Sequence, residues 1–223
     1  MRERFIVVSV IALLARITAS AQDPSAWPDT FQARVQALAL IQTLNADVLG
    51  SRSATAALER WCHDHQLADP PTIVAALMRD VKKSATSEQR EHLQVTEHDT
   101  VAFRHVQLRC GDRVLSEADN WYVPARLTAE MNRVLETTDT PFGRVVQSLE
   151  PYRSTFYARL LWSPLPDGWE RGSTKLPVPT GRTLVIPAEL FEHRAILYTR
   201  DHLPFSEVDE IYQRQILAFP PRR

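Results

Sequence analysis

Two apolar-alternating runs separated by Gly111 and Asp112 constrain this chain more than any other feature. Val101, Phe103, Val106, Leu108 and Cys110 recur at a spacing near two with one slip, and the segment from Val114 to Val123 runs back after the turn. Alternate side chains of a strand point to opposite sides, so this is the pattern of a β-hairpin buried on one face. A central hairpin needs further strands to pair with and an apolar layer to cover it. Arg104 falls inside the first run. A guanidinium there requires an anion, because a charge buried without a partner costs several kcal/mol. The partner is either another side chain of the protein or an anion from outside.

The chain has 223 residues, 44% of them apolar, enough to bury a sizeable core, and residues 22–223 read as a single domain. The N-terminus stands apart. Arg2 and Arg4 precede an apolar run from Phe5 to Ala15, and Ala19-Ser20-Ala21 follows. That is the layout of a cleavable secretion signal cut after Ala21, which implies a periplasmic or secreted protein. The run is too short for a membrane span, so none is expected after processing.

Without residues 1–21 the chain loses three of its 26 basic and one of its 27 acidic residues, leaving 23 against 26, a net charge of −3. That is no nucleic-acid footprint. Cys62 and Cys110 are far apart in sequence. Export permits a disulfide between them but spacing does not imply it, and two separate buried thiols are expected. Cys62-His63-Asp64-His65 has metal-ligand residue types, but two histidines at i and i+2 of a helix stand about 200° apart, so no metal site is expected.

Around the hairpin, Asp29 or Thr30 caps a predicted helix from Phe31 to Leu49, and Ser53 caps another from Ala54 to His65. Ile73 to Val81 is read as a strand, and Lys82 to Glu97 as a connection holding one helical turn around Glu88 to Leu93. Thr128 caps a helix through Met131 and Leu135, and Thr140 before Pro141 reads as the cap of a second short helix. Strands are expected over Arg153 to Trp162, Glu192 to Thr199 and Phe205 to Leu217, with a proline-rich flap over Ser163 to Thr180. The sum is an α+β fold: a mostly antiparallel sheet of about five to six strands, helices on one face, and short helices inserted in the middle.

The order of an Arg-bearing strand, a hairpin, a Trp121-Tyr122-Val123-Pro124 strand end, a short helix and then Thr140-Pro141-Phe142-Gly143-Arg144 resembles the chorismate pyruvate-lyase family, which forms 4-hydroxybenzoate. The resemblance runs from about Ser53 to about Tyr212. It implies a chorismate lyase-like fold in which the sheet and its flaps enclose a ligand cavity. It also implies roles for particular residues. Arg104 matches the Arg that grips the substrate carboxylate, a task suited to a planar, permanently charged fork. Glu210, two residues before Tyr212, matches a Glu that contacts the ring hydroxyl region and could manage a proton; a shift of register would select Glu207 instead. Phe142 stands where the family usually has a Leu lining the product pocket. Ala54 stands where it has a Met over the ligand, and this departure opens space.

Two functions follow from the resemblance. The first is elimination of pyruvate from chorismate to give 4-hydroxybenzoate, with Arg104 and Glu210 as catalytic residues, Ala54 and Phe142 as further substrate contacts, and no metal or cofactor. The second is non-catalytic binding of an aromatic or other small carboxylic acid by an exported monomer. The same architecture is similar to the ligand-sensing domains of certain bacterial transcription regulators, so fold alone does not decide between them.

Overall fold

A computed structural model describes residues 26–221. The expected secretion signal lies outside the described residues. Six strands form one antiparallel sheet in the order β1-β2-β3-β6-β5-β4, with β1 Ile73–Leu77, β2 Ala102–Cys110, β3 Arg113–Tyr122, β4 Tyr152–Leu160, β5 Glu189–Tyr198 and β6 Pro204–Gln213. Among the described residues five α-helices accompany it: α1 Phe31–Gly50, α2 Ala54–Asp64, α3 Ser87–His92, α4 Ala129–Thr137 and α5 Phe142–Val145. This is the α+β class. The C-terminal strand β6 lies between β3 and β5 and so places its residues at the middle of the sheet.

The hairpin β2–β3 turns on Gly111 and Asp112, and Gly111 takes φ +56°, a backbone conformation that a side chain would strain. Arg104, Val106, Leu108 and Cys110 are buried on the inner face of β2. Phe103 points the other way, onto a small outer cluster of Leu93, Trp121 and Val123. The slip in the apolar pattern therefore marks a change of face, and Arg104 is the first buried residue on the inner one.

The helices form where their caps place them. Thr30, Ser53 and Thr128 each accept a hydrogen bond from a backbone N–H in the first turn of α1, α2 and α4. Positions three and four residues apart on one face of α1, including Ala37, Ile41, Leu44 and Val48, join the core with α2 and the inner face of the sheet. The indoles of Trp27, ahead of α1, and Trp61, in α2, donate to the carbonyls of Leu217 and Ile216, fixing both segments to the C-terminal turn.

Four expectations are corrected. Cys62 and Cys110 are not separate thiols but a disulfide, with Cα atoms 6.1 Å apart, which joins α2 to the end of β2. The hydroxyl of Thr140 accepts from Thr138 Oγ1 instead of capping a helix, and α5 starts one residue later, after Pro141. Strand β1 ends at Leu77, four residues short of Val81, and β6 ends at Gln213, where Arg214–Leu217 forms a 3-10 turn. The flap over Ser163 to Thr180, by contrast, is irregular as expected, apart from a 3-10 turn at Trp169–Arg171.

Candidate functional site

On the inner face of the sheet, side chains from five strands converge on one enclosed cavity. Arg104, Val106 and Leu108 come from β2, Ala118 and Asn120 from β3, Val208 and Glu210 from β6, Leu197 from β5 and Arg153 from β4. The lining runs from β2, one strand in from an edge, across to the opposite edge strand β4, so the sheet curls around the space. The start of α2, with Ser53, Ala54 and Thr55, and the start of α5, with Phe142 and Gly143, close the other side. The two helices meet tightly there. A Cβ on Gly143 would fall 2.7 Å from Ser53 Oγ, so a side chain larger than hydrogen would force the roof apart. Phe142 is wedged between Tyr122 and Phe205, at ring separations of 5.6 and 6.2 Å.

The four residues singled out in the sequence, Ala54, Arg104, Phe142 and Glu210, all line this cavity. Glu207 does not. It faces the other side of the sheet, where His92 Nδ1 lies 2.9 Å from its carboxylate.

Arg104 is 5% exposed, and its Nε and Nη2 have no hydrogen-bond partner among the described residues. These two nitrogens share one edge of the guanidinium plane, the edge that receives both oxygens of a carboxylate side-on. Burial disfavours the charge of Arg104 and so does the neighbouring Arg79, while Tyr122 and Asp139 oppose them; the net effect is downward. The group remains a cation, since guanidinium keeps its proton at any working pH.

The far end of the cavity is different. Nη2 of Arg153 lies 2.7 Å from Oε2 of Glu210, with the two side chains 3% and 5% exposed. No N–H of that nitrogen is aligned for a hydrogen bond. At this separation the attraction between opposite charges does not depend on alignment, so the pair is an ion pair by proximity. Burial works against the charge of Arg153, but Glu210 and Tyr212 outweigh it and hold the guanidinium above its ordinary range. Tyr212 donates to the same Glu210 oxygen at 3.1 Å. Burial, reinforced by Glu210, pushes the Tyr212 phenol well above its usual range, so it stays a donor. Glu210 is thus a charge-compensated acceptor.

Sequence reasoning missed Arg153 and Asn120. In a regular strand Arg153 and Tyr157 would share a face, but a bulge between Thr155 and Tyr157 shifts the phase, so Arg153 turns into the cavity beside Leu197 while Tyr157 meets Arg194 on the other face. Asn120 accepts a hydrogen bond from Ser206 Oγ at 2.7 Å, which leaves its amide N–H groups to offer to the cavity.

The cavity measures about 60 Å³. Each water needs about 10–15 Å³ on this scale, so the space suits a few waters or one small ring. It adjoins a more open cleft of about 380 Å³ through Arg52, Ser53, Thr55, Gly143 and Pro151, which line both. The mouth therefore lies between α2 and α5.

No protein-family model matches the chain. It is 51% identical over 215 residues to the uncharacterized protein y4mC of Sinorhizobium fredii, spanning 96% of this chain and 89% of that protein. Among solved structures it is similar to the possible transcriptional regulator YydK of Bacillus subtilis, with TM-score 0.41 and 12% identity over 68% of this chain and 61% of that one, less than two thirds of its length. It is also similar to the effector domain of PhnF from Mycobacterium smegmatis, with TM-score 0.45 and 13% identity over 74% and 91% of the two chains.

Proposed function

We propose, for a chain that belongs to the family of the uncharacterized protein y4mC, that the enclosed cavity binds a small carboxylic acid whose carboxylate sits on the free edge of Arg104. One observation carries this reading: a guanidinium withdrawn from water has left unpaired the two donors that take a carboxylate side-on. A ligand carboxylate supplies the missing counter-charge. Val106, Leu108, Ala118 and Val208 give the body of the ligand an apolar seat, and Glu210 accepts from a hydroxyl at its far end. The size of the cavity favours a single ring, as in 4-hydroxybenzoate. Thermal unfolding with and without 4-hydroxybenzoate tests it. A ligand at about 100 times its dissociation constant adds roughly 2.7 kcal/mol, which should appear as a clear rise in Tm for the parent and vanish in Arg104→Met. An equal rise in both proteins would remove Arg104 from the site.

A second reading, elimination of pyruvate from chorismate, is favoured by the convergence of Ala54, Arg104, Phe142 and Glu210 on one space. It requires α2 and α5 to part, because chorismate is larger than 4-hydroxybenzoate, and it requires no metal or redox cofactor. The contacts of Arg153 and Tyr212 with one and the same oxygen of Glu210 support binding over turnover, since they hold the carboxylate in place as a fixed acceptor. Incubation with chorismate distinguishes the two: growth of 4-hydroxybenzoate absorbance supports the lyase, and its absence with retained 4-hydroxybenzoate binding leaves the binder. We propose export as well, and the Cys62–Cys110 disulfide supports an oxidising compartment.

A further inference from the structure

Arg104 borders a second space. Beyond the enclosed cavity, a cleft of about 210 Å³ lies between the end of β1, the start of β2 and α4, and its lining includes Arg79, Lys82, Arg104, Tyr122 and Glu136. Three of these are cations. None of the three forms an ion pair among the described residues. Arg79 is oriented by a hydrogen bond from its Nη2 to the Glu136 carbonyl at 3.1 Å, a contact that fixes its position without neutralising it. Like charges gathered at a surface normally disperse into water or take up counter-ions. Here the deepest of them is buried, so the two exposed ones raise the local potential at a group two of whose donors lack a partner among the described residues.

We infer that this outer cleft is a second anion site, which takes an oxyanion group, carboxylate or phosphate, on Arg79, Lys82 and Arg104. Because the guanidinium of Arg104 also borders the enclosed cavity, an anion in the cleft competes with a carboxylate in the cavity for its charge. The competition rests on the carboxylate-binding reading of the cavity; the cleft itself does not.

Calorimetric titration of the full chain with inorganic phosphate, and separately with malonate, tests the inference. The parent should bind at least one of the two, and Arg79→Gln/Lys82→Gln should weaken that binding by about tenfold or more. Phosphate alone identifies a tetrahedral oxyanion, and malonate alone a carboxylate. The same double variant, altered only at exposed side chains of the cleft, should bind 4-hydroxybenzoate within about threefold of the parent at physiological salt, where charges beyond about 8 Å are screened. The effective anion should raise the apparent Kd for 4-hydroxybenzoate in the parent and leave it unchanged in the double variant. If neither anion binds, or if both bind the double variant as tightly as the parent, the cleft is not an anion site. If phosphate or malonate binds as described but 4-hydroxybenzoate never does, the cleft stands and the reading of the cavity falls.

Discussion

Arg104 on β2 and Arg153 on β4 face the same cavity and both have their side chains withdrawn from water, yet the fold treats them in opposite ways. Arg153 has Glu210 at 2.7 Å, and that pairing lifts its proton affinity despite burial. Arg104 has two donors without a partner among the described residues and a second arginine nearby, and burial pulls its proton affinity down. Burial alone is common to both, so the difference is the counter-ion. One arginine is part of the fold's own electrostatics, and the other is held ready for a charge that the described residues do not supply.

The largest effect is expected at the paired end. Glu210→Ala strands Arg153 in the interior, and removing one partner of a buried pair costs about 3–5 kcal/mol, readable as a lower midpoint in denaturant unfolding. Replacing both, as Glu210→Ala with Arg153→Met, should restore most of the loss because no uncompensated charge remains. If the single variant unfolds like the parent, the pair is not a structural unit.

Next in size is the disulfide, which ties the roof helix α2 to the strand that carries Arg104. Closing a loop of 48 residues restricts the unfolded chain by about 4 kcal/mol at most in the entropic account, and measured values run at about 2–4. Cys62→Ala/Cys110→Ala should lower stability by that amount. It should also weaken ligand binding at the Arg104 end, read by titration with 4-hydroxybenzoate, while leaving the cost of Glu210→Ala unchanged. A change in that cost would mean the two ends are coupled through α2.

Smaller effects come from two groups flanking the paired end. Burial raises Asp209 from 3.8 to about 6, so between those values the native state holds a proton that the unfolded chain has shed, and stability falls as pH rises through that window. Burial lowers His193 from 6.5 to about 4, so there the unfolded chain binds a proton that the native state refuses, and stability falls as pH drops. The two slopes oppose each other over nearly the same range. Asp209→Asn removes one of them, and the variant should lose stability between pH 6.5 and 4 more steeply than the parent; parallel pH profiles would contradict the assignment.

Local chemistry made much of this readable from sequence. The hairpin follows from Gly111 and the alternation around it, and the starts of α1, α2 and α4 follow from Thr30, Ser53 and Thr128, whose side chains do what isolated caps do. The failures are relations between distant residues. Thr140 looks like a cap until Thr138 occupies its hydroxyl. Cys62 pairs with Cys110 because α2 packs over the end of β2, which no spacing announces. The inward turn of Arg153 and its meeting with Glu210 depend on a bulge in β4 and on β6 returning to the middle of the sheet. Arg104 was conspicuous because a charge in an apolar run has to be explained. Whether its partner lay inside or outside the protein required the whole packing.

The account stands most directly on the stability of Arg104→Met in the absence of any ligand, measured by denaturant unfolding beside the parent. An arginine without an internal counter-ion should be replaceable at no loss, and relief of the buried charge should leave the variant equal to the parent or more stable by about 1–4 kcal/mol. A loss of about 3 kcal/mol or more would show that the protein already supplies Arg104 with its partner, leaving no vacancy for an anion from outside.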